Sequence, residues 1–271
     1  MPKDNTGMKA GLYIVGTPIG NLDDISARAL STLRGADCVL AEDTRHTRIL
    51  LDRYAIKVFL ASCHMFNERA RVDWVLEQIR YGKAVALVTN AGMPGVADPG
   101  ALMARACREA GLYLTVIPGA SSATAAVALS GFGGAGFIFE GFLPRKPGAR
   151  RRRLTALQAC EKPAVIMESP YRCLRLLDEI EAAVGARKIF MGRELTKINE
   201  ECLWGSAAEI RLTLAGRVAG APQRQVRGEV IFVIAGASRK EAREASGADE
   251  DAEAPAETGP GADPEQDPGA K

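Results

Sequence analysis

The sequence has no uninterrupted apolar run long enough to span a bilayer, and its opening residues, "MPKDNTGMKAG", lack the apolar stretch of a secretory signal. It has no CxxC pair. Its six cysteines are scattered and neither of its two histidines stands at ligand spacing. These absences argue against a disulfide framework and against a metal site, so no metal is expected and a reducing, cytoplasmic setting is. No internal repeat is evident. No GxGxxG loop follows a strand, because Thr17 and Pro18 interrupt the pattern in "GTPIGN" (16–21).

What is there is ordinary in bulk and uneven in charge. Of 271 residues, 47% are hydrophobic and 25% charged, which suits a globular protein of one large or two modest domains. The net charge of +2 hides an asymmetry. Ten acidic and three basic residues lie between Lys240 and Lys271, which leaves 32 basic and 23 acidic residues in 1–239. The last stretch has no aromatic and no branched aliphatic residue, so it cannot bury a core, and 239–271 reads as a disordered acidic tail. The remainder is a basic body, compatible with a polyanionic partner.

Strand-like runs recur at 11–16, 36–41, 57–62, 84–89 and 112–117, with helical patterns between them. The clearest helix is 98–110, where Asp98 caps, Pro99 fits the first turn and Gly111 closes. A second series of strands follows near 137–142, 163–168, 187–192, 201–205 and 228–236. There, Ser169 and Pro170 open a helix whose apolar stripe is Cys173, Leu174, Leu177 and Ile180. The reading is a flexible 1–10, an α/β domain over 11–133, a second α/β domain over 134–238, and the tail. A largely parallel sheet is expected in the first domain.

Three Gly/Pro-rich loops follow strands of that first domain. "GTPIGN" (16–21) allows close backbone approach by a ligand. "TNAGMPGVADPG" (89–100) has the spacing of a specific backbone shape, suited to a ligand recognised by main chain. "PGASSATAAVALSG" (118–131) places Ser121 and Ser122 at a helix start, where they serve either as caps or as ligand contacts. Each loop alone is equally well a plain turn.

"AEDTRHTRIL" (41–50) raises a sharper question, since Glu42, Asp43 and Arg45 crowd the end of a core strand. Either a solvated helix begins there, or the cluster faces a site, because ligands in open parallel sheets collect outside the carboxyl ends of strands. Our reading is that Glu42, Asp43 and Arg45 face a cleft, while His46 and Arg48 lie on the helix surface.

"LYIVGTPIGNLDDISARAL", "AEDTRHTRILL", "TNAGMPGVADPG", "PGASSATAA", "FEGFLPRK", "ESPYR" and "RELTK" occur in one order over roughly 11–236. Together they resemble the tetrapyrrole (corrin/porphyrin) methylase superfamily, and "EDTRHTR" with "RELTK" resembles its RNA-modifying branch. The resemblance implies an α/β, two-domain tetrapyrrole-methylase-like fold, usually homodimeric, with S-adenosyl-L-methionine in the cleft between domains. It implies transfer of a methyl group to a cytidine ribose 2'-hydroxyl of 16S ribosomal RNA in the small subunit. The cofactor-binding residues it points to are Thr17, Pro18, Asn90, Ala91, Gly92, Met93, Gly119, Ser121, Ser122 and Met167. Asn90 stands where the family usually has an aspartate, and Met93 where it usually has threonine.

A ribose hydroxyl is a poor nucleophile, so a proton acceptor beside it would help. The catalytic candidates are Glu42, Asp43, Arg45, Arg193 and Lys197. His64, Glu168 and Glu194 also fall at strand ends, and which group is the base stays open. The run at 144–154 supplies Arg145, Lys146, Arg150, Arg151, Arg152 and Arg153 as RNA contacts, either to phosphates or, on the plainer view, as a solvated helix face. Two other functions fit the same loops: methylation of a small tetrapyrrole precursor, and an RNA-binding relative without activity.

Overall fold

Along the strands of the first half, apolar side chains alternate between two cores. Tyr13, Val15, Val39, Ala41, Ala86 and Val88 enter one, and Leu12, Cys38, Leu40, Val85 and Leu87 the other. Burial on both faces explains why these strands read as unbroken apolar runs. The structure, a computed structural model, describes residues 7–134, 136–219 and 226–246.

The first sheet comprises β1 (Gly11–Val15), β2 (Cys38–Ala41), β3 (Phe59–Ser62), β4 (Ala84–Val88) and β5 (Leu114–Ile117). Its order is β3-β2-β4-β1-β5 and every pairing is parallel. The helices between are α1 (Ala27–Gly35), α2 (Thr44–Arg53), α3 (Glu68–Arg80) and α4 (Ala101–Glu109). After β1 the chain runs outward to β2 and β3, then returns to insert β4 beside β1. That reversal puts the carboxyl ends of β1, β2 and β4 side by side.

The second sheet comprises β6 (Ile138–Phe142), β7 (Ala164–Glu168), β8 (Ile189–Arg193), β9 (Glu201–Gly205) and β10 (Val230–Ile234), in the order β6-β7-β10-β8-β9. Only β6 and β7 pair in parallel; the other three pairings are antiparallel. One face is covered by α6 (Pro147–Ala156), α7 (Cys173–Val184) and α8 (Ala207–Ala219). Against the other lies α5 (Ser122–Ser130): its Ala123 and Ala126, with Ile19, share a core with Val165, Phe190, Ile231 and Val233. The small residues of "SSATAAVALS" thus let a helix of the first series pack closely on the second sheet.

Three local expectations need correction. Helix α4 begins at Ala101, not at Asp98, and its N-cap is Gly100. The cap is supplied from α3 instead: the Glu68 carboxylate accepts from Gly100 N (3.0 Å) and Met103 N (3.1 Å). Pro99 O meanwhile accepts from Gly95 N, which closes the preceding loop on itself. In α7 the fully buried stripe is Cys173, Leu176, Leu177 and Ile180, with Leu174 only partly covered. Finally, Arg239–Ser246 forms helix α9, started by Glu241, which accepts from Ser238 N, within the stretch expected to be disordered. The acidic residues from 249 onward, and residues 1–6 of the stretch expected to be flexible, lie outside the described residues.

Candidate active site

The loop after β1 and the loop after β4 are joined by two hydrogen bonds: Thr17 N donates to Gly92 O (2.9 Å), and Gly92 N to Thr17 O (3.1 Å). The loop after β5 presses on the same place. A Cβ on Gly16 would lie 2.7 Å from Gly119 Cα, so neither position admits a side chain without a shift, and the Met93 thioether packs beside them. Three loops far apart in sequence are thereby locked into one surface by backbone contact.

From the second sheet, "RELTK" reaches this surface. Glu194 and Thr196 take left-handed conformations (φ 51° and 65°), unfavourable for residues with a Cβ. Gly228 makes room for the first of them, since a Cβ there would collide with the Glu194 carboxylate. Thr196 Oγ1 accepts from Asn21 N at 3.0 Å, tying this loop to the one after β1. The strained turn delivers Lys197 into a cavity of about 160 Å³, also lined by Thr17, Pro18, Asn90, Ala91, His46 and Glu229. A smaller cavity of about 40 Å³, lined by Ser122, Met167, Gly192 and Leu195, shares Ile19 and Glu229 with it.

The walls of the larger cavity carry unspent hydrogen-bonding capacity. Thr47 and Thr89 are 3% and 2% exposed, and their hydroxyls have no partner among the described residues. Outside the cavity, Ser121 is the N-cap of α5, and its side chain makes no capping bond. Buried polar groups are normally paired. Orphans around a cavity are what a ligand with hydroxyl and amino groups would satisfy.

The carboxylates sort themselves by their neighbours. Glu42 accepts from Asn90 N at 3.3 Å, while Asn90 Oδ1 accepts from Asp43 N at 3.2 Å. Asp43 is the N-cap of α2, accepting from Arg45 N (2.8 Å), and Arg45 folds back on it at 2.8 Å. The Arg45 hydrogen bond holds the Asp43 carboxyl down at about 2. The Arg45 side chain is 90% exposed, so Asp43 and Arg45 form a cap and a solvated pair, not the cleft-facing group expected of them. His46, expected on the helix surface, is exposed there and also lines the cavity.

Asp98, expected to cap a helix, bears a perturbed carboxyl near the cleft. Burial, then the charges of Glu42 and Glu229, push it up to about 6. Lys197 is held by Glu194 (3.0 Å) and Glu229 (3.1 Å). Burial alone would lower its pKa, but these hydrogen bonds outweigh that and raise it, so it remains a cation. Arg193 pairs with Glu201 at 2.9 Å and lines neither cavity. Glu229 was missed at sequence level. It precedes a strand, and nothing local marks it as a cleft residue.

The basic segment also divides. Arg145, Lys146, Arg151, Arg152 and Arg153 are exposed, the last paired with Glu140 at 3.0 Å. Arg150 is not. It is 4% exposed and paired with Glu168 at 2.7 Å and with Glu179, so it does not stand in the exposed row.

Residues 11–211 match the family of Tetrapyrrole (Corrin/Porphyrin) Methylases, and the chain belongs to that family. Among its relatives, the Ribosomal RNA small subunit methyltransferase I of Thermotoga maritima is 43% identical over 225 residues, 83% of this chain and 98% of that protein. The protein of the same name in Bacillus subtilis is 36% identical over 233 residues, 86% of this chain and 77% of that one. Among solved structures, uroporphyrin-III-C-methyltransferase from Thermus thermophilus superposes with a TM-score of 0.58 at 19% identity, covering 88% of this chain and 98% of that one. The methyltransferase CobJ gives 0.62 at 17% identity, covering 84% and 95%. A further Thermus thermophilus structure of the former enzyme, with bound S-adenyl homocysteine, gives 0.56 at 16% identity, covering 83% and 97%. These likenesses agree with the two-sheet α/β architecture found here.

Proposed function

We propose that this protein is an S-adenosyl-L-methionine-dependent methyltransferase acting on the ribose 2'-oxygen of a cytidine in small-subunit 16S ribosomal RNA. One observation carries the reading. The loops after β1 and β4, with the loop after β5 pressed against the first of them, meet the "RELTK" loop at a cavity with orphaned hydroxyls. Identity of 43% to a ribosomal RNA small subunit methyltransferase over 83% of the chain supports the choice of substrate.

In this reading Thr17, Pro18, Asn90, Ala91, Gly92, Met93, Gly119, Ser121, Ser122 and Met167 hold the cofactor. The orphaned Thr47 and Thr89 hydroxyls and the glycine cradle fit such a group. The cofactor supplies a methyl group on a sulfonium. The residues here exclude water and align the ribose oxygen for in-line attack. Lys197, fixed as a cation by two carboxylates, positions an RNA oxygen and does not take a proton. The proton acceptor is drawn from Glu42, Asp98 and Glu229. Arg145, Lys146, Arg151, Arg152 and Arg153 give the substrate a basic surface. The family resemblance adds a homodimer, and the substrate implies a cytoplasmic site of action.

The test is methyl transfer to small ribosomal subunits, naked ribosomal RNA and uroporphyrinogen, side by side. Transfer to the ribosomal RNA, at a position that becomes resistant to alkaline cleavage, is expected. Transfer to uroporphyrinogen alone would replace this reading with the small-molecule one.

A further inference from the structure

We propose that a cleft separate from the cofactor cavity, lined by Arg145, Arg150, Arg172 and Arg175, seats one backbone phosphate of the RNA. The inference rests on the RNA reading above and shares Arg145 with the basic surface named there. Among the described residues these four arginines alone line the cleft, which measures about 270 Å³. They converge from the loop after β6, from α6, from the 3-10 turn at Pro170–Arg172, and from α7.

Three of the four guanidiniums are held in place. Arg150, with 5% of its side chain exposed, is pinned between Glu168 and Glu179. Arg172 donates through Nε to Glu168 at 2.9 Å, and Arg175 through Nε to Glu179 at 2.9 Å. Arg145 makes no hydrogen bond or ion pair among the described residues. Each guanidinium has five N–H donors, and those engaged through Nε keep others for a ligand. Four cations against two carboxylates leave the cleft two charges positive. Arg145 and Arg175 are exposed, so this surplus positive charge is open to a ligand arriving from solvent.

A phosphodiester matches this arrangement. Guanidinium forks bind phosphate oxygens in pairs, and carboxylates that fix the arginines beforehand reduce the ordering cost of binding. Arg151, also exposed on α6, would guide the flanking backbone.

The measurement is fluorescence anisotropy of a labelled single-stranded RNA oligonucleotide with S-adenosylhomocysteine present, across a salt series. Arg145→Gln and Arg175→Gln leave the buried Arg150 pairing intact. Each should weaken binding about fivefold and lower the slope of log K against log salt by about 0.7, the value for one phosphate on a single strand. The double variant should lose little more slope than either alone, because both arginines grip the same phosphate. Unchanged slopes, or fully additive losses, would overturn the seat. Methylation of small subunits by the unaltered protein is measured in parallel. If it fails while the slopes fall as stated, the seat stands and the substrate reading falls; if it succeeds while the slopes hold, the seat falls alone.

Discussion

Asn90 and Glu42 clamp the ends of two neighbouring strands: the Asn90 N–H donates to the Glu42 carboxylate at 3.3 Å, while the Asn90 side-chain oxygen takes the Asp43 N–H at 3.2 Å. An amide suits this position. A carboxylate at 90 could also accept from Asp43 N, but it would add a third negative charge beside Glu42 and Asp98, whose carboxyl Glu42 already pushes up.

Glu42 and Arg45, adjacent in the same motif, should therefore behave differently. Glu42→Gln is expected to lower kcat more than about tenfold, a loss above ~1.4 kcal/mol of transition-state stabilisation. Arg45→Ala removes only a solvated pair and should stay within about threefold of normal activity, as exposed pairs contribute little. Steady-state methylation, with cofactor affinity from calorimetry, separates them. Equal losses would mean that Arg45 reaches the substrate after all.

Ser122 lines the small cavity opposite Met167 and Gly192. Ser122→Trp should fill it and abolish S-adenosyl-L-methionine binding while leaving thermal unfolding cooperative. Undiminished calorimetric affinity in a folded variant would move the cofactor elsewhere.

Glu168 is 3% exposed and bridges Arg150 and Arg172. Burial would raise its carboxyl, but Arg172, the Ser169 N–H and Arg150 outweigh that and hold it below 4.5. Its stabilisation is thus complete above the unfolded value and fades as pH falls through the lower folded one. Glu168→Ala strands buried cations and should cost about 3–5 kcal/mol at neutral pH by chemical denaturation. The deficit should shrink on acidification below about 4.5. A loss under about 1 kcal/mol would mean that water reaches these arginines.

Asp98 runs the other way. Its folded carboxyl sits at about 6, above the usual 3.8, so the ionised form is disfavoured in the native state. That cost is full above about pH 6 and disappears as pH falls towards 4. Asp98→Asn should accordingly stabilise the protein by about 1–2 kcal/mol at pH 7–8, after allowing for solvent screening. At pH 4 the two proteins should unfold alike. A variant less stable at pH 8 would show that the Asp98 charge is paired, against this assignment.

Much of the architecture follows from local pattern. Buried strands need runs such as "AVALV" and "VIFVI", and tight loops need Gly and Pro, so the strands and the three loops could be read directly from the chain. Asp43 could also be foreseen as a cap, because capping joins residues two or three apart. The sequence alone determined this much because these preferences are short-range.

Tertiary structure decided where the charges go. "RRRR" is one run on paper, yet the turn of α6 sends Arg150 inward to Glu168 and Glu179 while its neighbours face solvent. Glu68 caps a helix that starts more than thirty residues later. Glu229 and Lys197 meet only because β8 and β10 pair side by side. A charged side chain carries no periodic signal of its partner. Whether it is a cap, a buried brace or a cleft residue depends on what the fold places within a few ångströms of it, because ion pairing acts only at short range in water.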